Sequence, residues 1–234
     1  MICGKPFIAI RDSESKRNTM TKLILVRHGQ SLANADRLFA GHSDFDLSEF
    51  GKEQASMAAH YLHKRERIHA IYASDLLRAH NTAVPFAKIY GLDITDAKEL
   101  REIYAGKWES LSFDQIAETC PKDFNDWMND FSNARCTEGE SVAELYERVK
   151  SYVCKIAEEN DGKTILIATH ATPVRAINCF AMGYGADRMA DVSFCGNAAL
   201  NLFIYENGKI KIEQSNINEY LGELATEVPE KIRA

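Results

Sequence analysis

Three short unbroken apolar runs mark the chain, KLILV at 22–26, IHAIYA at 68–73 and TILIA at 164–168. Each is rich in β-formers and gives way to polar residues and then to a helical period. Apolar runs without alternation suit strands buried on both faces of a parallel sheet. Between them, 48–64 sets Ala55, Ala58, Ala59 and Leu62 at helical spacing. The stretch 76–90 continues with Leu77, Val84 and Ile89, and its Pro85 is expected to kink or shorten a helix there. Residues 141–158 open with Ser141 and Glu144 as a capping box and keep Val142, Leu145, Val149, Val153 and Ile156 on one stripe. Thr172 followed by Pro173 reads as an N-cap with proline at the first helical position. Asn207-Gly208 between 198–205 and 209–213 signals a hairpin. The expected fold is α/β, a three-layer α/β/α sandwich with a mostly parallel central sheet and one antiparallel edge region. Residues 107–140 break the rhythm with Trp108, Phe113, Phe124, Trp127, Met128 and Phe131 among acidic and amide residues, which predicts a small helical cap insert. The division is a 1–20 extension, a single 21–221 domain and a 222–234 tail.

Charge narrows the partners. The chain of 234 residues has a formal net charge of −6, and its first nineteen residues are net basic, so the remainder is more acidic still. Such a chain has no overall field for nucleic acid or anionic lipid, so neither nucleic acid nor membrane is expected as a partner. Any bound anion needs a local cluster. No apolar run approaches the roughly eighteen residues of a membrane span. Phe7 to Ile10 is a short apolar stretch followed by charged residues, unlike a secretory signal, and 1–19 reads as an extension or an upstream start ahead of Met20. Cys3, Cys120, Cys136, Cys154, Cys179 and Cys195 are scattered without a CxxC pair, which fits reduced thiols and a cytoplasmic location. The oligomeric state is left open.

In an open parallel sheet, ligands sit outside the carboxyl ends of the strands. After the first run come Arg27, His28, Gly29, Gln30 and Ser31; after the second, Ser74 and Asp75, with Arg78 one turn on; after the third, Thr169, His170 and Ala171. Singly, each has an ordinary explanation: a histidine satisfied by backbone, or Arg78 in a surface pair with Asp75. Together, two arginines, two histidines and helix N-termini at one rim suit a phosphate dianion. Competing chemistries fail on spacing. Gly162-Lys163-Thr164 has Ala157 where a P-loop needs its first glycine, Gly183-x-Gly185 is followed by Arg188 where a third glycine belongs, and no cysteine has an arginine six positions on. Asp44-Phe45-Asp46 follows Gly-His-Ser instead of a buried strand, so both aspartates read as turn and helix-start residues. His60, His63 and His69 read as a solvated face, and no metal site is expected. Histidine is left as the nucleophile: neutral imidazole attacks phosphorus, arginines cover the equatorial oxygens, and a nearby carboxyl group protonates the leaving oxygen.

The ordered set Arg27-His28-Gly29-Gln30-Ser31 with Asn34, Arg37, Phe39, Gly41, Asp44 and Leu47 resembles the histidine phosphatase (phosphoglycerate mutase-like) superfamily. The resemblance continues in Ser74 to Ala79, in Leu100-Arg101-Glu102-Ile103 with Gly106, Trp108 and Glu109, in Gly139-Glu140-Ser141, in Thr169-His170 with Arg175, and in Asn197-Ala198, covering about 21–213. It implies that His28 becomes phosphorylated and that Glu102 is the proton donor and later the base for water. It also implies a phosphate pocket of Arg27, Arg78 and His170, with Asn34, Gly41 and Ala171 beside it. Sequence pattern alone does not separate Glu102 from Glu99 and Glu109. The chain departs from the family at Ala171, where glycine is frequent, at Ser110, which ends a usual Trp-Glu-Gly, and at Thr137-Glu138, which replaces Pro-Gly before Gly139-Glu140-Ser141. No departure removes a catalytic group.

The implied activity is metal-independent and cofactor-free hydrolysis of a small phosphorylated metabolite, similar to the phosphatase branch that includes alpha-ribazole phosphatase. Mutases of the family carry a longer insert with adjacent arginines for a substrate carboxylate. Here the only cations in 103–140 are Lys107, Lys122 and Arg135. The insert's aromatic residues suit an apolar or ring-bearing leaving group, or pack the cap on the sheet; both readings stay open. The alternatives are mutase-type phosphotransfer and a non-catalytic module that binds phosphorylated ligands.

Overall fold

A computed structural model of the chain describes residues 20–226, so the expected extension at 1–19 and the end of the tail lie outside the described residues. Six strands form one sheet in the order β3-β2-β4-β1-β5-β6. These are β1 (Thr21–Arg27), β2 (Ala70–Ala73), β3 (Ile94–Asp96), β4 (Thr164–Thr169), β5 (Leu200–Glu206) and β6 (Lys209–Ile217). The β1/β4, β4/β2 and β2/β3 pairs are parallel, and β5 and β6 add antiparallel at one edge. At the β5–β6 turn, Asn207 and Gly208 both take positive φ, 51° and 75°, as a two-residue hairpin with native twist requires. Among the described residues, no helix is long and apolar enough to cross a membrane.

Alternate residues of the central strands serve opposite layers. Leu23 and Leu25 of β1 pack with Ile165 and Ile167 of β4 against α6 (Val142–Glu159) and α7 (Ala171–Ala181). Ile24 and Val26 pack with Leu166 and Ala168 against α2 (Glu49–His63) and α3 (Leu77–Tyr90). Both faces are covered, which is why the strands read as unbroken apolar runs. The expected three-layer α/β fold is therefore present, with α1 (Leu32–Ala35) between β1 and α2. The predicted capping box of α6 is formed: the Ser141 hydroxyl accepts from Glu144 N–H and the Glu144 carboxylate from Ser141 N–H.

The insert folds as α4 (Phe113–Thr119) and α5 (Pro121–Asn129), short helices as expected. Its aromatic residues are mostly core. Trp108, Trp127 and Phe131 are buried, and Phe124 packs against them. Phe113 meets the Phe39 and Phe124 rings and also lines the cleft, so packing accounts for all of them without excluding contact with a ligand there.

Three local expectations are corrected. Pro85 lies inside α3, which runs on to Tyr90 and ends at Gly91 in the left-handed region. The proline forfeits one helical hydrogen bond, but Ala79, Thr82, Ala83 and Phe86 bury the helix on both sides of it. Second, α7 starts at Ala171 with His170 as N-cap, two residues before the expected start. Proline is tolerated at Pro173 because N–H groups of a first turn have no intrahelical partner. Third, Asp44 starts a helix far from its own: its carboxylate accepts from Leu77 N–H at 2.7 Å, opening α3. Residues 222–226, expected in the tail, are tied to the body, since Gln54 Nε2 donates to Leu224 O at 2.7 Å and Thr226 Oγ1 to Asn197 Oδ1 at 3.1 Å.

Candidate active site

Register brings the chemistry together. Arg27 pairs with Thr169 and Ala73 with Ala168, so β1, β2 and β4 end level and side by side. The residues that follow, His28, Ser74 and His170, therefore meet. The turn after β1 lies hard against α2: a Cβ on Gly29 would fall 2.3 Å from Gly51 O, and one on Gly51 2.0 Å from Gln30 O. Only glycine at both positions permits this approach.

His28 is buried, and its Nδ1–H donates to Gly29 O at 2.7 Å. This bond assigns the proton to Nδ1 and leaves the Nε2 lone pair free. Burial, then Arg78 and then Arg27, hold its pKa well below the usual histidine value, so the ring is neutral at neutral pH. His170, 0% exposed, stands edge-on to it with ring centroids 5.1 Å apart. Its Nε2 lies 2.8 Å from Ser74 Oγ, which itself accepts from Leu76 N–H at 3.4 Å. A hydroxyl both donates and accepts, so this contact fits either tautomer; the one in which Ser74 donates to Nε2 carries the imidazole proton on Nδ1. That buried Nδ1 has no partner. Burial is the first cause of the lowered His170 pKa, followed by Arg78, so the ring is neutral at neutral pH and its Nδ1 stands unpartnered.

Arg78 is 1% exposed, and burial pulls its pKa down to about 10, still charged at neutral pH. Its partners are backbone carbonyls: Nη1 donates to Ser43 O at 2.9 Å, and Nη2 to Ala40 O at 2.7 Å and Gly41 O at 2.8 Å. Nε–H and one Nη1–H remain. Arg27 donates from Nη1 to Cys195 O at 2.6 Å, and its buried Nε has no partner. One buried and one half-buried guanidinium group, each with carbonyl partners and no carboxylate bonded to it, suit an anion, because a charge held out of water favours a counter-charge.

Glu102 lines the same cleft. Its Oε1 accepts from Ile103 N–H at 2.8 Å and its Oε2 from Thr172 N–H at 3.2 Å, at the start of α7. The three candidate carboxylates are now distinct. Glu109 is spent on His42, Ser43 and Ala105 N–H groups, tying loops together, and Glu99 is exposed. Asn34 lines the cleft and accepts through Oδ1 from Ser31 N–H and Asn197 Nδ2, which leaves its amide NH2 as the remaining donor. Ala171 lines the cleft in the first turn of α7.

Gly41 is a correction. It does not line the cleft; its carbonyl holds Arg78, and a Cβ there would fall 2.4 Å from Ile103 O. His60, His63 and His69 have separate local contacts, with Ser56 O, the Tyr90 ring and Thr164 N–H. Sequence reasoning missed Phe194 and Cys195 as site residues and gave Asn197, quoted within the resemblance, no role at the site. Phe194 lines the cleft, Cys195 O holds Arg27, and Asn197 Nδ2 donates to His28 O at 3.1 Å. All three lie in a stretch with no regular element and hence no period. Arg175 braces it, its guanidinium 4.3 Å from the ring centroids of both Phe131 and Phe194. The outer cleft wall is Leu38, Phe39, Phe113 and Phe194.

The arrangement brings a histidine with an unprotonated Nε2, arginine N–H groups without a partner and a carboxyl group to one cleft. Comparison with known proteins agrees. The sequence profile of the Histidine phosphatase superfamily (branch 1) matches residues 23–218. Phosphoserine phosphatase 1 of Hydrogenobacter thermophilus is 32% identical over 213 residues, 91% of this chain and 100% of that protein. The adenosylcobalamin/alpha-ribazole phosphatase of Escherichia coli is 28% identical over 168 residues, 72% of this chain and 82% of that protein. The solved structure of a mycobacterial glucosyl-3-phosphoglycerate phosphatase superposes with a TM-score of 0.76 at 26% identity, over 85% of this chain and 99% of that one.

Proposed function

The chain belongs to the histidine phosphatase superfamily, branch 1, as one of its phosphatases, and from there we propose that it hydrolyses small phosphomonoesters without a metal through a phosphorylated His28. The observation that carries this reading is the pair of arginines, Arg78 buried and Arg27 half-buried, both bonded to carbonyls, beside a buried histidine whose Nδ1–H is fixed on Gly29. The non-bridging oxygens of the ester take Arg27, Arg78 and the Nδ1–H of His170, with Asn34 and the Ala171 N–H as further donors. His28 Nε2 attacks phosphorus opposite the leaving oxygen; the P–O bond breaks as P–N forms, and Glu102 transfers its proton to the departing alkoxide. Glu102, now a carboxylate, takes a proton from water. The resulting hydroxide attacks phosphorus, the P–N bond breaks, and His28 returns neutral as inorganic phosphate leaves. Positioning and electrostatics supply most of the rate, and the cationic cradle supplies the charge compensation.

Both arginines are committed to the phosphoryl group, while Leu38, Phe39, Phe113 and Phe194 line the outer cleft. This wall suits an apolar or ring-bearing leaving group. The relatives' names span phosphoserine, alpha-ribazole and glucosyl-3-phosphoglycerate, so they support the phosphatase reading without choosing a leaving group.

The test is phosphate release from p-nitrophenyl phosphate in EDTA by wild type and His28→Ala, with 3-phosphoglycerate run alongside under coupled detection of its 2-isomer. Release that vanishes in the variant is the expected result. Isomer without phosphate would make the chain a mutase, and activity in neither assay would make it a binding module.

A further inference from the structure

The loop that carries Glu102 has little secondary structure of its own: after a single 3-10 turn at Lys98–Leu100, residues 101–105 follow no helix or strand. A general acid on such a loop needs its backbone fixed from elsewhere, because a displacement near 1 Å costs about a hundredfold in rate. The fixing groups come from α6 and the turn before it. Arg148 donates from Nη1 to Glu99 O at 2.8 Å and Arg101 O at 3.0 Å, and from Nη2 to Glu102 O at 3.3 Å. Its other two N–H bonds grip the Glu140 carboxylate as a fork, Nε to Oε1 at 2.8 Å and Nη2 to Oε2 at 2.7 Å. All five guanidinium hydrogens are therefore engaged.

Glu140 closes the clamp on the far side. Its Oε2 accepts from Tyr104 N–H at 3.1 Å, and its own N–H donates to Tyr104 O at 2.8 Å. The two side chains are 23% and 13% exposed, sheltered enough for the pair to hold its geometry. His42 Nε2–H adds a bond to Glu102 O at 3.0 Å, and Arg101 is held by Asp75 in a second fork, both at 2.6 Å. Neither Arg148 nor Glu140 lines the cleft.

We propose that Arg148, aligned by Glu140, is the positioning residue for the proton-transfer step: it holds the backbone from which Glu102 reaches the leaving oxygen and touches no reacting atom. The inference rests on the reading of Glu102 as the acid. Its signature follows from chemistry. A nitrophenolate departs without a proton, whereas an alkoxide needs one, so in kcat/KM, which reports the steps up to departure of the leaving group and not the later attack of water, a misplaced acid is felt only when the leaving group is basic. Loss of general stability or of the phosphate cradle would slow both esters alike.

The experiment measures kcat and KM for p-nitrophenyl phosphate and for a simple alkyl phosphate with wild type, Arg148→Met, Glu102→Gln and the double variant. Folding is checked by thermal melts with and without inorganic phosphate. Arg148→Met is expected to lower kcat/KM for the alkyl ester by about tenfold or more and for the nitrophenyl ester by less than about threefold. In the Glu102→Gln background it should add almost nothing, because the two act on one step. Arg148→Lys, which keeps a charge but not the fork, should show the same selectivity in smaller degree. If Arg148→Met fails to fold, Arg148→Lys and Glu140→Gln carry the test. Equal losses on both esters, or an undiminished loss on top of Glu102→Gln, would overturn the proposal. If wild type releases no phosphate, or Glu102→Gln is itself unselective, the reading of the site fails and takes the clamp with it. If Glu102→Gln is selective and the Arg148 and Glu140 variants are not, the clamp alone is wrong.

Discussion

Replacing Arg78 by lysine keeps a positive charge in the cradle and removes the fork. In the native chain three of the five N–H groups of Arg78 serve Ser43, Ala40 and Gly41 carbonyls, and two remain for the phosphoryl group. Lysine offers three donors from a single point and cannot serve both sets. A charge-assisted hydrogen bond contributes about 1.5–3 kcal/mol, so two lost in the transition state amount to about 3–6 kcal/mol. At about 1.4 kcal/mol per factor of ten, that is roughly 10²–10⁴ in kcat/KM. The retained charge places Arg78→Lys toward the lower end of that range. Stability should change less. The variant leaves carbonyls short of donors at about 1–3 kcal/mol each, but it is relieved of a guanidinium whose pKa burial has pulled down to about 10. Steady-state kinetics on p-nitrophenyl phosphate, with thermal melts in the presence and absence of phosphate, separate the two effects. The wild type should gain stability from phosphate by linkage, about 2.7 kcal/mol at a hundred times Kd, and the variant much less. A kcat/KM within about fivefold of wild type, or an undiminished phosphate-induced stabilisation in an inactive variant, would refute the cradle.

The remaining expectations follow from the same geometry. Because burial and two arginines keep His28 neutral, kcat/KM corrected for the ester's own ionisation near about pH 6 should hold as pH falls through 6.5. An acid limb centred at 6.5 would contradict the assignment. The sign for stability is the reverse of a salt-bridged histidine's: below 6.5 the unfolded chain takes up protons at both site histidines while the folded chain does not, so urea midpoints should fall as pH falls. His28→Asn with His170→Asn should flatten that fall. Vanadate, which adopts five coordinates, should inhibit well below millimolar in buffer free of EDTA, which would chelate it, and indifference to it would count against a phosphoryl cradle. Gly51→Ala drives a methyl to 2.0 Å from Gln30 O behind His28, which should cost about 2 kcal/mol in urea unfolding and reduce kcat. Ser141→Ala removes only a helix cap and should cost about 1 kcal/mol with no change in leaving-group preference.

What the sequence disclosed was what local chemistry decides. The strands β1 and β4 are apolar throughout because both faces are covered, and the capping box of α6 has all its determinants within four residues. Arg27, His28, Arg78 and His170 could be set on one rim because the carboxyl ends of parallel strands gather there. What stayed hidden depends on partners distant in the chain. Gly41 is beside the phosphoryl position in sequence logic, yet in space it stands behind the arginine and works through its carbonyl. Glu102 differs from Glu99 and Glu109 only in which N–H groups it meets. Cys195 contributes a carbonyl that any residue could provide, so no side-chain pattern marks it. The start of α7 was misplaced because proline is compatible with more than one position in a first turn.

The ring cluster of the insert has an optical consequence. The chain has two tryptophans, and Trp108 and Trp127 stand edge to face with centroids 5.6 Å apart. Each also meets the ring of Phe39, at 5.6 and 5.4 Å, and Phe39 lines the cleft. All indole emission from this chain therefore originates one side chain away from the space a substrate enters, with no remote fluorophore to dilute it. Unlabelled protein is its own binding reporter: occupancy that moves Phe39 should change the emission of both indoles, giving ligand affinities in real time for esters that are turned over too slowly to assay.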